Sequence, residues 1–212
     1  MAKLTRPGPA GATTTVNGML ASVLSTVTRR AALAVAVMLA ATGCGGPDAI
    51  RTVGDFDAAP CLLFSAERMT QVIAEPFRDL VGSAPKLSGD PKASSSEAGH
   101  ACTYTFVPSQ PTKVPPVNLL TATLEHNENG SQPLSICVAG AATQAPGYKL
   151  QQIGDQACLS PTSDLWMKYG ENFYHVVLVP QPGFDNPVDM NLALSPMILA
   201  IGRAAAANLP KT

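Results

Sequence analysis

Apolar positions change their spacing along this chain, and each change marks an element. Behind Arg29 and Arg30 runs an almost unbroken apolar stretch, residues 31–41, too short to cross a bilayer, which takes about 20 such residues. Beyond residue 60 the spacing turns helical. Met69, Val72 and Ile73 stand at i, i+3 and i+4 behind Ser65, a good capping residue, so a helix is expected there, stopped or bent at Pro76. Residues 80–100 are rich in Ser, Gly, Pro and Lys and read as a long exposed loop. Residues 101–107 and 117–125 alternate as strands do, joined by a proline-rich connection over 108–116. Asn129-Gly130 marks a turn, and residues 133–142 are expected as a short helix carrying Cys137 inward.

Four further strands are expected at 148–153, 156–160, 165–169 and 173–179, the last two forming a hairpin through Gly170-Glu171-Asn172. An Ala-rich helix closes the pattern over 197–208. Ser195 followed by Pro196 supplies a start signal, with Asn186-Pro187 as a competing earlier start. Together these elements predict an α+β domain, a largely antiparallel sheet with helices packed on one face.

Length and composition set the boundaries. Residues 39–44 read Leu-Ala-Ala-Thr-Gly-Cys, so small side chains lead into Cys44 after a basic and then an apolar segment. That order reads as a bacterial lipoprotein export signal, expected to be cut before Cys44, whose sulfur would then carry lipid. The alternative is an ordinary signal peptide with a free cysteine nearby. Residues 1–43 are therefore expected as the signal, with Met19 as a possible true start and the choice between the general and twin-arginine routes open. Residues 44–60, rich in Gly, Pro, Ala and Asp, read as a lipidated tether, and 61–210 as one domain. The expected location is the extracytoplasmic face of the cell membrane, held there by acyl chains, two or more of which anchor stably where one is marginal.

Every Asp and Glu lies beyond Cys44. Of the 14 basic residues, Lys3, Arg6, Arg29 and Arg30 precede it, which leaves ten against 15 acidic and a net charge of −5. An acidic surface argues against nucleic acid and against a basic patch for anionic lipid, and leaves the anchor on Cys44 as the membrane contact. Cys61, Cys102, Cys137 and Cys158 remain, an even number that reads as two disulfides in an exported chain. Three connectivities are possible. Cys61–Cys102 with Cys137–Cys158 is favoured because each bond then closes a single helix-to-strand unit. No Cys-x-x-Cys occurs and no His stands at ligand spacing from a Cys, which disfavours metal or redox use.

Four short segments give the chain a likeness: Cys61-Leu62-Leu63, Cys102-Thr103-Tyr104, Gly154-Asp155-Gln156-Ala157 and the tail over 198–209. In these it resembles a group of small actinobacterial, mycobacterial-type lipoproteins that share a domain of unknown function. It differs from them in carrying Tyr104 where a Trp is usual, and in the additional pair Cys137 and Cys158. The resemblance implies the α+β fold and the envelope location, and brings no enzymatic activity with it.

Catalytic and cofactor signatures are not found. Gly-x-Ser-x-Gly and the phosphate-binding glycine loops are missing. His100 is placed at a loop-to-strand junction. His126, within Glu125-His126-Asn127-Glu128, reads as part of a solvated turn, with metal binding as the alternative. His175 reads as an outward-facing strand position. Gly154-Asp155 reads as a turn, with a catalytic carboxylate as the alternative. Trp166 and Tyr169, with Tyr148 and Tyr174, read as packing residues, with a ligand groove as the alternative. No catalytic residue, metal or cofactor is expected. The reading is a non-enzymatic binding or accessory module for a lipid or an envelope protein, with a small envelope hydrolase as the alternative.

Overall fold

The computed structural model describes residues 50–110, 118–182 and 187–209, apart from the side chains of Pro187 and Val188. The chain divides into Met1–Gly43 and Cys44–Thr212, and all the described residues belong to the second unit. The expected signal, Cys44, the first residues of the tether, positions 111–117 of the proline-rich connection and Asn186 lie outside the described residues.

An eight-stranded antiparallel sheet forms the frame. Its strands are β1 (Pro85–Leu87), β2 (Lys92–Ser96), β3 (Gly99–Pro108), β4 (Leu119–Asn127), β5 (Lys149–Gln151), β6 (Gln156–Leu159), β7 (Asp164–Tyr169) and β8 (Asn172–Gln181). Both β1 and β2 pair with β3, at opposite ends of it, and the order continues β4, β8, β7, β6, β5. With α1 (Val53–Ala58), α2 (Ala66–Val81), α3 (Ser131–Ala142) and α4 (Pro187–Asn208), this is the expected α+β fold with a largely antiparallel sheet.

Strand alternation decides which face each helix covers. Tyr104 and Phe106 on β3, Leu120, Ala122 and Leu124 on β4, Leu165 and Met167 on β7, and Tyr174, Val176 and Leu178 on β8 share one face and are buried. α2 closes on that face with Met69, Ile73, Phe77 and Val81, and α4 with Leu194, Met197, Ile198, Ile201 and Ala205. α4 is long and apolar enough by composition to cross a bilayer, yet its apolar stripe packs the core. Among the described residues, α3 is the one helix on the opposite face, at the β5–β6–β7 end over Cys158 and Trp166, so the helices do not all pack on one face as expected.

Both disulfides have the favoured pairing. Cys61–Cys102 fastens the turn before α2 to β3, and Cys137–Cys158 fastens α3 to β6. Ser65 caps α2 as expected, its hydroxyl accepting from the Arg68 amide at 3.1 Å. The helix nevertheless runs through Pro76, because Ile73 and Phe77 on either side are locked in the core and outweigh one lost backbone bond. Likewise α4 takes the earlier start at Pro187 and passes through Pro196, where Leu194, Met197 and Ile198 hold it.

Two expectations need correction. The long loop over 80–100 contains β1 and β2. All five residues of β2 are exposed, so it has no apolar alternation to read, and backbone pairing to β3 holds it. The tether over 44–60 is folded in its second half. Thr52 and Asp55 form a reciprocal capping box that starts α1, and Phe56 enters the core with no exposed surface.

Candidate functional site

On the sheet face opposite the main core, strand register gathers three charged side chains. Glu125 of β4 stands directly across from His175 of β8, and His175 directly across from Trp166 of β7. His175 Nε2 lies 3.1 Å from Asp164 Oδ2, and its Nδ1 lies 3.6 Å from Glu125 Oε2. The Trp166 ring stacks on the imidazole at 3.7 Å between centroids and 9° between planes. His175 thus occupies the outward position the sequence assigned to it, but its side chain is only 14 % exposed.

The loop between β6 and β7 holds Asp164 in place. Ser160 donates a hydrogen bond to its carboxylate, and Thr162 Oγ1 donates another at 3.2 Å. Asn191 of α4 in turn donates to the Ser160 carbonyl at 2.8 Å. Burial works against a charged His175, but the carboxylates of Asp164 and then Glu125 outweigh it and hold the imidazole above its ordinary pKa. Glu125 is held below its ordinary value, chiefly by its bond to His175.

Ser160, Asp164 and His175 contain the residue types of a hydrolytic triad in another order. The carboxylate lies between serine and histidine, so the hydroxyl faces no base, and both imidazole nitrogens face carboxylates. Such a cluster stores opposite charges on a packed surface and activates no nucleophile. Trp166 adds a cation–π contact to the protonated ring.

His126 also departs from expectation. It points inward from β4, is 6 % exposed, and its Nδ1 donates to Asp57 Oδ1 at 2.7 Å, fixing α1 to the sheet. The sequence read a solvated turn because the four-residue polar run hid the strand alternation beneath it. His100 sits on β3, its Nδ1 3.0 Å from the Ser95 hydroxyl on β2, with no carboxylate behind it among the described contacts. No three His, Cys, Asp or Glu side chains form a metal-holding group among the described residues.

The four aromatic residues separate. Tyr174 is in the main core. Tyr148 and Trp166 belong to the small cluster under α3, where the Tyr148 ring lies so near Gly140 that a Cβ there would stand 2.8 Å from it. Tyr169, partly buried against the main core, lines a cleft of about 580 Å³.

This cleft lies at one end of the sheet. Gln152, Ile153, Gly154 and Asp155 from the β5–β6 loop form one wall, Tyr169 and Gly170 from the β7–β8 hairpin another, and Arg203, Ala206 and Ala207 of α4 the third. Gly154-Asp155 is the turn the sequence predicted, and it also lines the cleft. Gly154 takes a φ of +62°, and a Cβ there would meet the Lys168 carbonyl at 2.6 Å. Asp155 donates its amide to the Lys168 carbonyl at 3.0 Å and accepts from the Gly170 amide at 2.6 Å. Those two bonds lock the loop to the hairpin, so two walls of the cleft are held rigidly together.

No protein-family model, curated protein or solved structure matches the chain, so the site stands on its own geometry.

Proposed function

We propose that this protein is an exported lipoprotein of the cell envelope, anchored through acyl chains on Cys44, which binds a ligand or partner and catalyses no reaction. The observation that carries the reading is the cysteine arithmetic. Of five cysteines, Cys61, Cys102, Cys137 and Cys158 are consumed in two disulfides within one domain, and Cys44 is left over. Disulfides persist in oxidising compartments outside the cytoplasm. An odd cysteine in such a chain is a thiol with a separate role, and Cys44 follows the basic, apolar and small-residue segments of a lipoprotein signal. The binding role draws support from the rigid polar cleft beside Asp155, and from a histidine cluster that is saturated by carboxylates rather than poised for chemistry.

Intact mass spectrometry of the protein taken from its own membranes, with and without reduction, tests this reading. A diacyl or triacyl mass on Cys44 as the first residue, and no free thiol before reduction, is the expected result. Cys44→Ala is expected to move the protein from the membrane fraction into the soluble fraction. An unmodified Cys44 in a membrane-bound protein overturns the proposal.

A further inference from the structure

We propose that the cleft between the β5–β6 loop, the β7–β8 turn and α4 is a saccharide-binding site. This deepens, and rests on, the reading of the protein as an envelope binding module. The volume of about 580 Å³ falls within the range of small-ligand pockets. Its chemistry narrows the occupant. Arg203 offers only donors and the Asp155 carboxylate only acceptors, while Gln152 and the Tyr169 phenol offer both. One positive and one negative side chain balance each other, so the cleft carries no net charge to capture a simple anion or cation. A ligand that satisfies both walls must donate and accept from several points, as the hydroxyls of a sugar do. The half-buried Tyr169 ring supplies an apolar surface for the C–H face of a pyranose, while Ile153 behind it is packed into the core. The predominantly polar, open lining disfavours an acyl chain.

The walls are built before any ligand arrives. The Asp155 carboxylate accepts from the Gly170 amide through Oδ2, its own amide donates to the Lys168 carbonyl, and Gly154 is the residue that lets the chain approach so closely. Ala206 and Ala207 keep α4 low along the third wall, leaving the volume open. A preorganised site of this kind loses less on binding to ordering of its own groups.

The test uses the full-length protein from its own membranes, held in a detergent with no sugar headgroup. Maltotriose, mannotriose and chitotriose are titrated and followed by saturation-transfer NMR with irradiation of the aromatic protons. Saturable transfer to the ring protons of at least one trisaccharide is expected. Arg203→Ala and Ala207→Trp, both at exposed positions of α4, are each expected to weaken it about tenfold or more, the effect of losing one charged hydrogen bond or of filling the site. Circular dichroism of each variant confirms that the fold persists. No binding by any trisaccharide overturns the inference, as does binding that both variants retain. Binding of a dipeptide in place of the sugars, lost in the same variants, overturns the ligand class. Failure here with an acylated Cys44 leaves the anchored-module reading standing, whereas an unmodified Cys44 with intact sugar binding overturns only that reading.

Discussion

The hydroxyl of Tyr174 is buried without a hydrogen-bond partner among the described residues, while that of Tyr104 donates to the Phe64 carbonyl at 2.8 Å. Burial, with the nearby charge of Asp57 and then Tyr169, pushes the Tyr174 phenol up to about 12, so it stays neutral and wastes its donor. Tyr174→Phe should therefore be neutral or stabilise by up to about 1–2 kcal/mol, whereas Tyr104→Phe strands a carbonyl and should cost about 1–2 kcal/mol. Urea denaturation of the two variants checks the contrast, and a loss in both would mean that Tyr174 has a partner after all. His175 and Glu125 give a pH dependence with a definite sign. The folded pKa of His175 is raised, so its contribution is complete below the unfolded value of 6.5 and is lost as pH rises through the folded one. The folded pKa of Glu125 is lowered, so its contribution is present above 4.5 and is lost as pH falls through the folded value. Both contribute fully between those two values. His175→Gln should flatten the decline in melting temperature on the alkaline side of that window, as read from thermal melts across pH. A decline of the same size in the variant would assign it to other groups.

At the scale of elements, α3 depends on its disulfide more than any other helix does. It buries only Leu134 and Cys137, and among the described residues no other helix shares its face of the sheet. The Cys137–Cys158 bond closes 21 residues, worth about 3 kcal/mol in the chain-entropy model. Replacing both cysteines by Ser should lower stability by that amount and raise hydrogen exchange in α3 before the β4–β8 centre. Uniform exchange would show that α3 is held by packing instead. The same elements explain what could be read in advance. α2 was legible because a capping Ser65 precedes Met69 and Ile73 at helical spacing, and the β7–β8 hairpin because two alternating runs flank Gly170-Glu171. β2 was hidden because a strand with every residue exposed leaves no hydrophobic signature. The lengths of α2 and α4 were misjudged because a proline is a local signal, and the core contacts that override it come from distant strands.

For the whole molecule, the candidate sites show where a one-dimensional reading ends. Glu125, Asp164 and His175 meet only because β4, β8 and β7 adopt one register, and the cleft draws on segments near 153, 170 and 205. Gly154-Asp155 stood out in the sequence, whereas nothing in the sequence pattern singled out Arg203 on its Ala-rich helix. Where the domain begins is the remaining question of this scale, and Phe56 answers it. The residue lies in a segment whose composition suggests a linker, yet its ring meets Tyr174 edge-on at 5.9 Å and His126 at 6.5 Å, and the adjacent Asp57 holds His126. If α1 is part of the cooperative fold, Phe56→Ala removes a fully buried ring and should lower stability by about 3–5 kcal/mol in a single shifted transition. If residues 50–58 were only a loosely attached tether, the midpoint would move by less than about 0.5 kcal/mol, as a surface substitution does. The first outcome sets the folded domain within a few residues of Cys44, so that a lipid on that sulfur would hold the sheet close to the bilayer on a short leash.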